Sequence, residues 1–271
     1  MSTHTTPIET TRGTIAVRVD GRPDAPALLL CQRFRGGTED WDPRFIAALA
    51  RKRRVIRFDM PGIGASGGET PDSVQGMAAV VPALLDALGL ERVDLLGWSL
   101  GGYVGQAVTL TWPQRVRRLI IAGSGPGGPD APAAHPRVAE IAAKQEATRE
   151  EIAFLFFQET EEGRAAANDH LDHIAYGKRP PTRQESGLRQ RTAIVNWTKG
   201  ENAAKARLRE LALPVLVANG VDDVMVPAEN SFIIARRAPN AKLVLYPRSG
   251  HAFLFQYAEA FADEVERFLQ G

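Results

Sequence analysis

Short apolar segments recur along the chain and are separated by turns rich in glycine and proline. The segments richest in β-forming residues are 15–19, 27–31, 55–58, 93–96, 119–122, 215–218 and 243–246. Apolar runs that do not alternate with polar residues are typical of strands buried on both faces of a mostly parallel sheet. The pattern therefore predicts a buried sheet.

Segments with helical character lie between these strands, at residues 43–52, 72–88, 100–111, 229–238 and 257–269. Strands alternating with helices predict an α/β fold with a doubly wound, mostly parallel sheet flanked by helices. The alternation stops at residues 129–211, which are charged, helix-prone and without a clear strand. We therefore expect a core domain formed by residues 1–128 and 212–271, with residues 129–211 inserted as a helical cap.

Composition excludes several classes of function. The 271 residues are 44% hydrophobic. The 33 lysines and arginines nearly balance the 32 aspartates and glutamates, so the net charge is too small to favour binding to nucleic acid or to an anionic membrane. The chain has neither a signal-peptide pattern nor a run of about eighteen apolar residues, so we expect a cytoplasmic protein that does not enter the membrane. The single cysteine, Cys31, lies in an apolar run and is predicted to be a buried hydrophobe.

A serine between glycines is the first candidate for chemistry. Gly97-Trp98-Ser99-Leu100-Gly101-Gly102 follows the predicted strand 93–96 and opens the predicted helix 100–111. A Gly-x-Ser-x-Gly turn between a strand and a helix presents the serine hydroxyl at the carboxyl end of the strand, next to the positive end of the helix dipole. Ser99 is therefore predicted to be a nucleophile.

This turn resembles the nucleophile elbow of the α/β-hydrolase superfamily, particularly of its capped esterases, cofactor-free haloperoxidases and carbon–carbon bond hydrolases. The resemblance extends from Ile15 to Leu269 and is weak within residues 129–211. It implies the α/β-hydrolase fold, a triad of serine, acid and histidine, and no cofactor. Haloalkane dehalogenases and epoxide hydrolases carry aspartate as the nucleophile, so Ser99 argues against both of those activities.

The serine needs a base, and histidine is suitable because its pKa lies near neutrality. His251 follows the last predicted strand in Ser249-Gly250-His251, where the superfamily keeps its catalytic histidine. The remaining histidines lie in an N-terminal tail that we expect to be disordered, or in the proposed cap: His4, His135, His170 and His173.

The pair His170 and His173, with aspartates beside both, could in principle bind a metal ion because residues three apart share a helix face. No credible third ligand accompanies them. We therefore expect no metal site and interpret the pair as part of a solvated helix face.

Two adjacent aspartates, Asp222 and Asp223, are candidates for the acid. They lie in the loop after strand 215–218, which agrees with the chain order of serine, acid and histidine in this fold. In members of the superfamily the acid commonly stands three residues after a glycine and four before a proline. Measured from Gly220 and Pro227, both spacings select Asp223, with Asp222 as the alternative.

An oxyanion hole needs two backbone N–H groups. The resemblance assigns one to Leu100 and the other to the loop after residues 27–31, where many relatives carry His-Gly before the donor. Here Gln32-Arg33 takes that place, which makes Phe34 the donor. Arg33 and Arg35 are possible binders of a substrate carboxylate, although a solvent-facing or structural role is the expectation for each.

The pocket is expected to be apolar, with walls from Phe34, Trp98 and aromatic residues of the cap, chiefly Phe157 and Trp197 together with Phe154 and Phe156. For each cap aromatic, packing within the cap is an equal expectation. The predicted activity is hydrolysis of an ester-like bond in a small apolar or ring-containing molecule through an acyl-enzyme. Lactone or carbon–carbon bond hydrolysis, and a receptor that binds a small molecule without turnover, are the alternatives. The sequence does not indicate an oligomeric state.

Overall fold

The computed structural model describes residues 5–177 and 181–271; His4 lies outside this part of the chain. Within it, one sheet has the strand order β1-β2-β4-β3-β5-β6-β7-β8. The strands are β1 Thr6–Thr10, β2 Gly13–Asp20, β3 Ala27–Cys31, β4 Arg54–Phe58, β5 Val93–Trp98, β6 Val116–Ala122, β7 Val215–Gly220 and β8 Ala241–Tyr246. Only the pairs β1–β2 and β2–β4 are antiparallel in this sheet.

The predicted mostly parallel α/β sheet is confirmed, and every predicted strand is present. The strand missing from the prediction is β1, which pairs only with β2 at the edge of the sheet. Its residues are exposed or half-buried. An edge strand with little apolar burial leaves no apolar run in the sequence, which explains why the pattern did not reveal it.

Helices cover both faces of the sheet. Their bounds are α1 Pro43–Ala50, α2 Val74–Ala78, α3 Val80–Ala87, α4 Leu100–Thr111, α5 Pro136–Ala143, α6 Arg149–Phe156, α7 Glu161–His173, α8 Gln184–Lys199, α9 Ala228–Arg237, α10 Phe253–Gln256 and α11 Ala258–Gln270. Alternate residues of the central strands enter opposite cores: Leu29 and Leu95 pack on one side, Leu30 and Leu96 on the other.

The helix predicted at residues 72–88 is two helices, α2 and α3, that meet at Ala79. Pro82 lies in the first turn of α3 and has no N–H to bond the carbonyl of Ala78, so a continuous helix would lack that hydrogen bond. The helix also begins later than predicted, because Ser73 caps it by accepting a hydrogen bond from Gly76 N at 3.2 Å.

Residues 129–211, called the insertion below, contain α5 to α8 and no strand among their described residues. Several hydrogen bonds join the insertion to loops at the carboxyl ends of core strands, for example those of Phe156 and Gln190. The carbonyl of Phe156 accepts from Ala252 N at 2.8 Å, and the side chain of Gln190 accepts from Arg35 N at 2.8 Å. The insertion therefore covers this edge of the sheet.

His170 is not on a solvated helix face, contrary to the prediction. The side chain is 2% exposed, its ring stacks on Phe255 with centroids 4.4 Å apart, and its Nδ1 lies 3.0 Å from Asp42 Oδ2. Burial lowers the pKa of His170. The neutral ring can bond the Asp42 carboxylate only by donating from Nδ1. The sequence showed the helical spacing of this residue but not that the core lies against it.

Asp42 links the insertion to the core. Burial by itself would raise the pKa of this carboxyl, but hydrogen bonds from His170 and Arg44 hold that pKa below its usual range. The carboxylate also caps α1 by accepting from Arg44 N at 2.9 Å. One buried side chain thus stabilises the start of a core helix and fixes a helix of the insertion.

We expect Asp42→Ala to lower the free energy of unfolding by about 2–4 kcal/mol, since it removes a helix cap and leaves the buried His170 donor unpaired. Asp169→Ala is the control, because this half-exposed carboxylate also pairs with Arg44 but contributes less than about 1 kcal/mol. Urea unfolding of both variants measures the difference. Equal losses would mean that the buried contact does not stabilise the fold.

Candidate active site

Ser99 lies at the turn between β5 and α4 in a strained backbone conformation. Its φ is 58° and its ψ is −120°, a region that non-glycine residues rarely adopt. Two hydrogen bonds hold the turn: Ser99 N donates to the carbonyl of Ala122 at 2.9 Å, and the hydroxyl of Ser124 donates to the carbonyl of Ser99 at 2.8 Å. The serine is therefore fixed at the carboxyl end of a central strand.

Glycines flank Ser99 because the turn brings backbone segments into contact. A Cβ at Gly101 would lie 2.0 Å from the carbonyl oxygen of Cys31, and one at Gly97 would lie 2.1 Å from the carbonyl oxygen of Gly101. Neither neighbour is a side chain that could turn away. The spacing found in the sequence is thus a packing requirement of this turn.

His251 and Asp223 lie together in the structure. His251 Nδ1 is 2.7 Å from Asp223 Oδ2, and both side chains are fully buried. The other carboxylate oxygen of Asp223 accepts from the N–H groups of Met225 and Val226 at 2.8 and 2.9 Å. Asp223 is therefore held by its own loop and oriented towards the imidazole.

Asp222 faces away from this pair. Its side chain is exposed, and its Oδ2 accepts a hydrogen bond from Gln158 of the insertion. The geometry thus separates the two neighbouring aspartates that spacing alone had left as alternatives.

A second hydrogen bond fixes the backbone of His251. The indole N–H of Trp98 donates to the carbonyl of His251 at 3.0 Å. Nε2 of the same imidazole is buried and has no hydrogen-bond partner among the described residues. That nitrogen is left for a group that enters or turns into the site, and His251 and Ser99 line the same cavity.

The loop after β3 leaves one N–H group free. Arg33 N donates to the side chain of Gln32 at 2.8 Å, and Arg35 N donates to the side chain of Gln190 at 2.8 Å. Between them, Phe34 N has no acceptor within the described part of the chain. Leu100 opens α4, where N–H groups have no partner within the helix. Both N–H groups expected to form the oxyanion hole thus have no acceptor among the described residues.

A cavity of about 700 Å³ lies beside Ser99, His251 and Phe34. This volume is within the range of small-molecule sites, about 300–1,000 Å³. The insertion contributes Ile141, Ile152, Leu155 and Phe156 to its apolar wall, and the core contributes Phe34, Ile63 and Met225.

Trp98, Phe157 and Trp197, predicted as pocket walls, are not among the described residues that line this cavity. Each is buried elsewhere. Trp98 lies beneath His251, with ring centroids 5.6 Å apart; Phe157 contacts His170 at 5.9 Å; and Trp197 stacks on Tyr103 of α4 at 5.4 Å. These three rings complete the core, whereas Phe34 and Phe156, which were also predicted, line the cavity together with aliphatic residues that the sequence did not distinguish. The helical spacing of Ile152 and Leu155 was the only available signal.

Residues 5–177 and 181–271 also bear on metal binding and membrane spanning. No group of three or more histidine, cysteine, aspartate or glutamate side chains there is arranged to bind a metal ion. None of the helices in these ranges is both long enough and apolar enough to cross a membrane.

Comparison with known families agrees with the sheet order and the serine turn. The model of the alpha/beta hydrolase fold family matches residues 26–257, which is most of the chain. The chain therefore belongs to the α/β-hydrolase family and is an enzyme of that family.

Individual relatives are hydrolases of different kinds. The chain is 29% identical to a poly(3-hydroxyalkanoate) depolymerase of Ectopseudomonas oleovorans over 92% of its length and 86% of the relative's. It is 31% identical to a 2-hydroxymuconate semialdehyde hydrolase of Pseudomonas sp. strain CF600, over 82% and 78%. An alpha/beta hydrolase fold protein from Chitinophaga pinensis superimposes with a TM-score of 0.90 and 32% identity, covering 98% of this chain and 96% of that one.

We expect Gly101→Ala to destabilise the protein by at least about 2 kcal/mol, since the new methyl group would overlap a backbone carbonyl that cannot move without shifting β3. Gly67→Ala is the matched control, because a Cβ there meets nothing closer than 3.7 Å. Thermal unfolding followed by circular dichroism compares the two. A Gly101→Ala variant as stable as the control would show that the turn tolerates a side chain.

Proposed function

We propose that the protein is a serine hydrolase that cleaves an ester-like bond of a small, apolar or ring-containing substrate through an acyl-enzyme on Ser99. The observation that carries the proposal is the common cavity of Ser99 and His251, with His251 hydrogen-bonded to the buried Asp223 at 2.7 Å. Asp223 is the orienting acid, and Phe34 N and Leu100 N are the oxyanion donors. The insertion acts as the cap that closes the substrate site.

In the proposed reaction, His251 donates from Nδ1 to Asp223, so that Nε2 of the neutral ring is free to take the Ser99 proton. Ser99 Oγ attacks the carbonyl carbon, and the negative charge that forms on oxygen is stabilised by the two N–H groups. The bond to the leaving alcohol breaks, and His251 returns the proton to that oxygen. Water, activated by His251, then cleaves the acyl-enzyme and regenerates Ser99.

Relatives support two versions of the bond that is cleaved. The depolymerase name of one relative favours an ester, whereas the name of the semialdehyde hydrolase, at 31% identity, favours cleavage of a carbon–carbon bond. Lactones are a third candidate for the same residues. Purified protein tested side by side on p-nitrophenyl esters, lactones and β-diketones distinguishes them, and the highest kcat/KM identifies the bond class.

A small-molecule receptor on the same fold is the alternative from another class. A buried His251–Asp223 pair next to Ser99 favours the enzyme, because binding alone does not require a base at the serine. Multiple turnovers of p-nitrophenyl acetate by each protein molecule support the enzyme. A single burst equal to the protein concentration, on every substrate tried, supports the receptor.

A serine-directed fluorophosphonate is expected to label Ser99 and no other residue, since Ser99 is the one serine among the described residues that line the cavity of His251. Peptide mapping by mass spectrometry locates the label. Ser99→Ala is expected to abolish labelling, and Ser66→Ala, at a buried serine bonded to the carbonyl of Asp59, should leave it unchanged. Labelling at a different serine would contradict the mechanism.

Asp223→Asn is expected to lower kcat by about 10⁴-fold, the loss found when the base is held in the wrong tautomer. Asp222→Asn removes a charge of the same type from the adjacent, exposed position, so we expect less than about a threefold change, of the size typical for a surface pair. Steady-state kinetics of both variants, after circular dichroism shows that each is folded, makes the comparison. Similar losses in both would exclude Asp223 as the specific partner of His251.

A further inference from the structure

Arg33 is a buried cation beside the proposed reaction centre. It is 9% exposed and lines the same cavity as Ser99 and His251. Its guanidinium lies over the rings of Trp98 and Phe156, at 5.7 and 5.2 Å from their centroids. Both rings also contact the imidazole of His251. Arg33 and His251 therefore pack against the same two aromatic rings.

Among the described residues, the guanidinium of Arg33 does not use all of its hydrogen-bonding capacity. One terminal N–H donates to the carbonyl of Phe34 at 2.8 Å, while Nε is buried without a partner in the described structure. The other terminal nitrogen forms an ion pair with Asp40, whose Oδ1 lies 3.5 Å away, while Asp40 Oδ2 accepts from Gly37 N at 2.7 Å. A buried guanidinium with an unpaired N–H is costly unless another group completes its bonding.

Arg35, two residues later, has a different role. Its N–H and carbonyl bind the side chains of Gln190 and Thr182, and its guanidinium donates to the carbonyls of Lys144 and Gln145. Arg35 thus holds the insertion against the loop after β3. The other arginines that line the cavity are also engaged: Arg18 pairs with Glu39 at 2.6 Å, and Arg183 donates to the carbonyls of Gly62 and Gly68.

We propose that Arg33 binds a carboxylate of the substrate, so that the preferred substrates carry an acid group a few bonds from the cleaved carbonyl. This specificity rests on the proposed hydrolase function of Ser99. A guanidinium suits the role because it bonds a carboxylate through two N–H groups. The substrate carboxylate would accept hydrogen bonds from N–H groups of Arg33 that the ion pair with Asp40 does not use. The apolar wall would contact the rest of the substrate.

The test compares two esters that differ only in charge: mono-p-nitrophenyl glutarate and its methyl-capped form, methyl p-nitrophenyl glutarate. The ratio of their kcat/KM values, after subtraction of spontaneous hydrolysis, measures carboxylate recognition. Wild-type protein is expected to prefer the acid. Arg33→Gln is expected to lower the ratio by about 10- to 100-fold, mainly through KM, because a charged hydrogen bond is lost from binding. Arg33→Lys should recover part of the preference.

Arg18→Gln is the matched control, since Arg18 lines the same cavity but its positive charge is already paired with Glu39. We expect it to change the ratio by less than about twofold. Equal losses of activity on both esters in Arg33→Gln would overturn the proposal, because Arg33 would then act on the reacting carbonyl or on folding. A wild-type preference for the methyl-capped ester would overturn it without any variant.

Binding without turnover separates this proposal from the proposed function. Glutarate is expected to bind the Ser99→Ala protein in isothermal titration calorimetry, and the double variant with Arg33→Gln should lose at least about tenfold in affinity. Full hydrolytic activity in Ser99→Ala would show that Ser99 is not the nucleophile. The glutarate titration would still test whether Arg33 binds a carboxylate. Absence of glutarate binding in Ser99→Ala would reject carboxylate recognition even if Ser99 is the nucleophile.

Discussion

The whole site depends on the strained turn that places Ser99 at φ 58° between β5 and α4. A non-glycine residue in such a conformation costs about 1–3 kcal/mol and persists only if its surroundings enforce it. Here the enforcement comes from backbone contacts with neighbouring strands: Ser99 N bonds the last residue of β6, and Gly101 packs on the carbonyl that ends β3. The parallel sheet thus supplies the energy that keeps the serine exposed to the cavity.

The parallel order of the strands also explains why distant residues meet. Ser99 follows β5, Phe34 lies after β3, Asp223 after β7 and His251 after β8, and these strands all point the same way. Loops at the carboxyl ends of parallel strands share one edge, which is where α/β folds bind ligands. The insertion covers that edge, so the core supplies the proposed catalytic groups and the insertion supplies most of the apolar wall.

The loop after β3 shows how two similar side chains acquire different surroundings. Arg35 adopts a φ of 58°, and both its backbone and its side chain bond the insertion, whereas Arg33 lines the cavity and packs against the rings of Trp98 and Phe156. The side chain of Gln32 stabilises this loop, because it accepts a hydrogen bond from Arg33 N and donates one to the carbonyl of Gly37. The loop therefore has a defined shape even though it lacks the His-Gly pair of many relatives.

The sequence by itself determined the α/β fold and the position of the serine turn, and it indicated His251 as the candidate base, because strand runs, glycine spacing and the residues that follow a strand are properties of short contiguous segments. It did not reveal β1, whose residues bury little apolar surface, or that α7 faces the core through His170. It also named Trp98, Phe157 and Trp197 for a wall that Ile141, Ile152 and Leu155 help to form. Tertiary structure decided these points. β1 forms only by pairing with β2 at the edge of the sheet. The surroundings of His170, the cavity wall and the separate roles of Arg33 and Arg35 depend on how the insertion packs against distant parts of the core, such as Gln190 against Arg35.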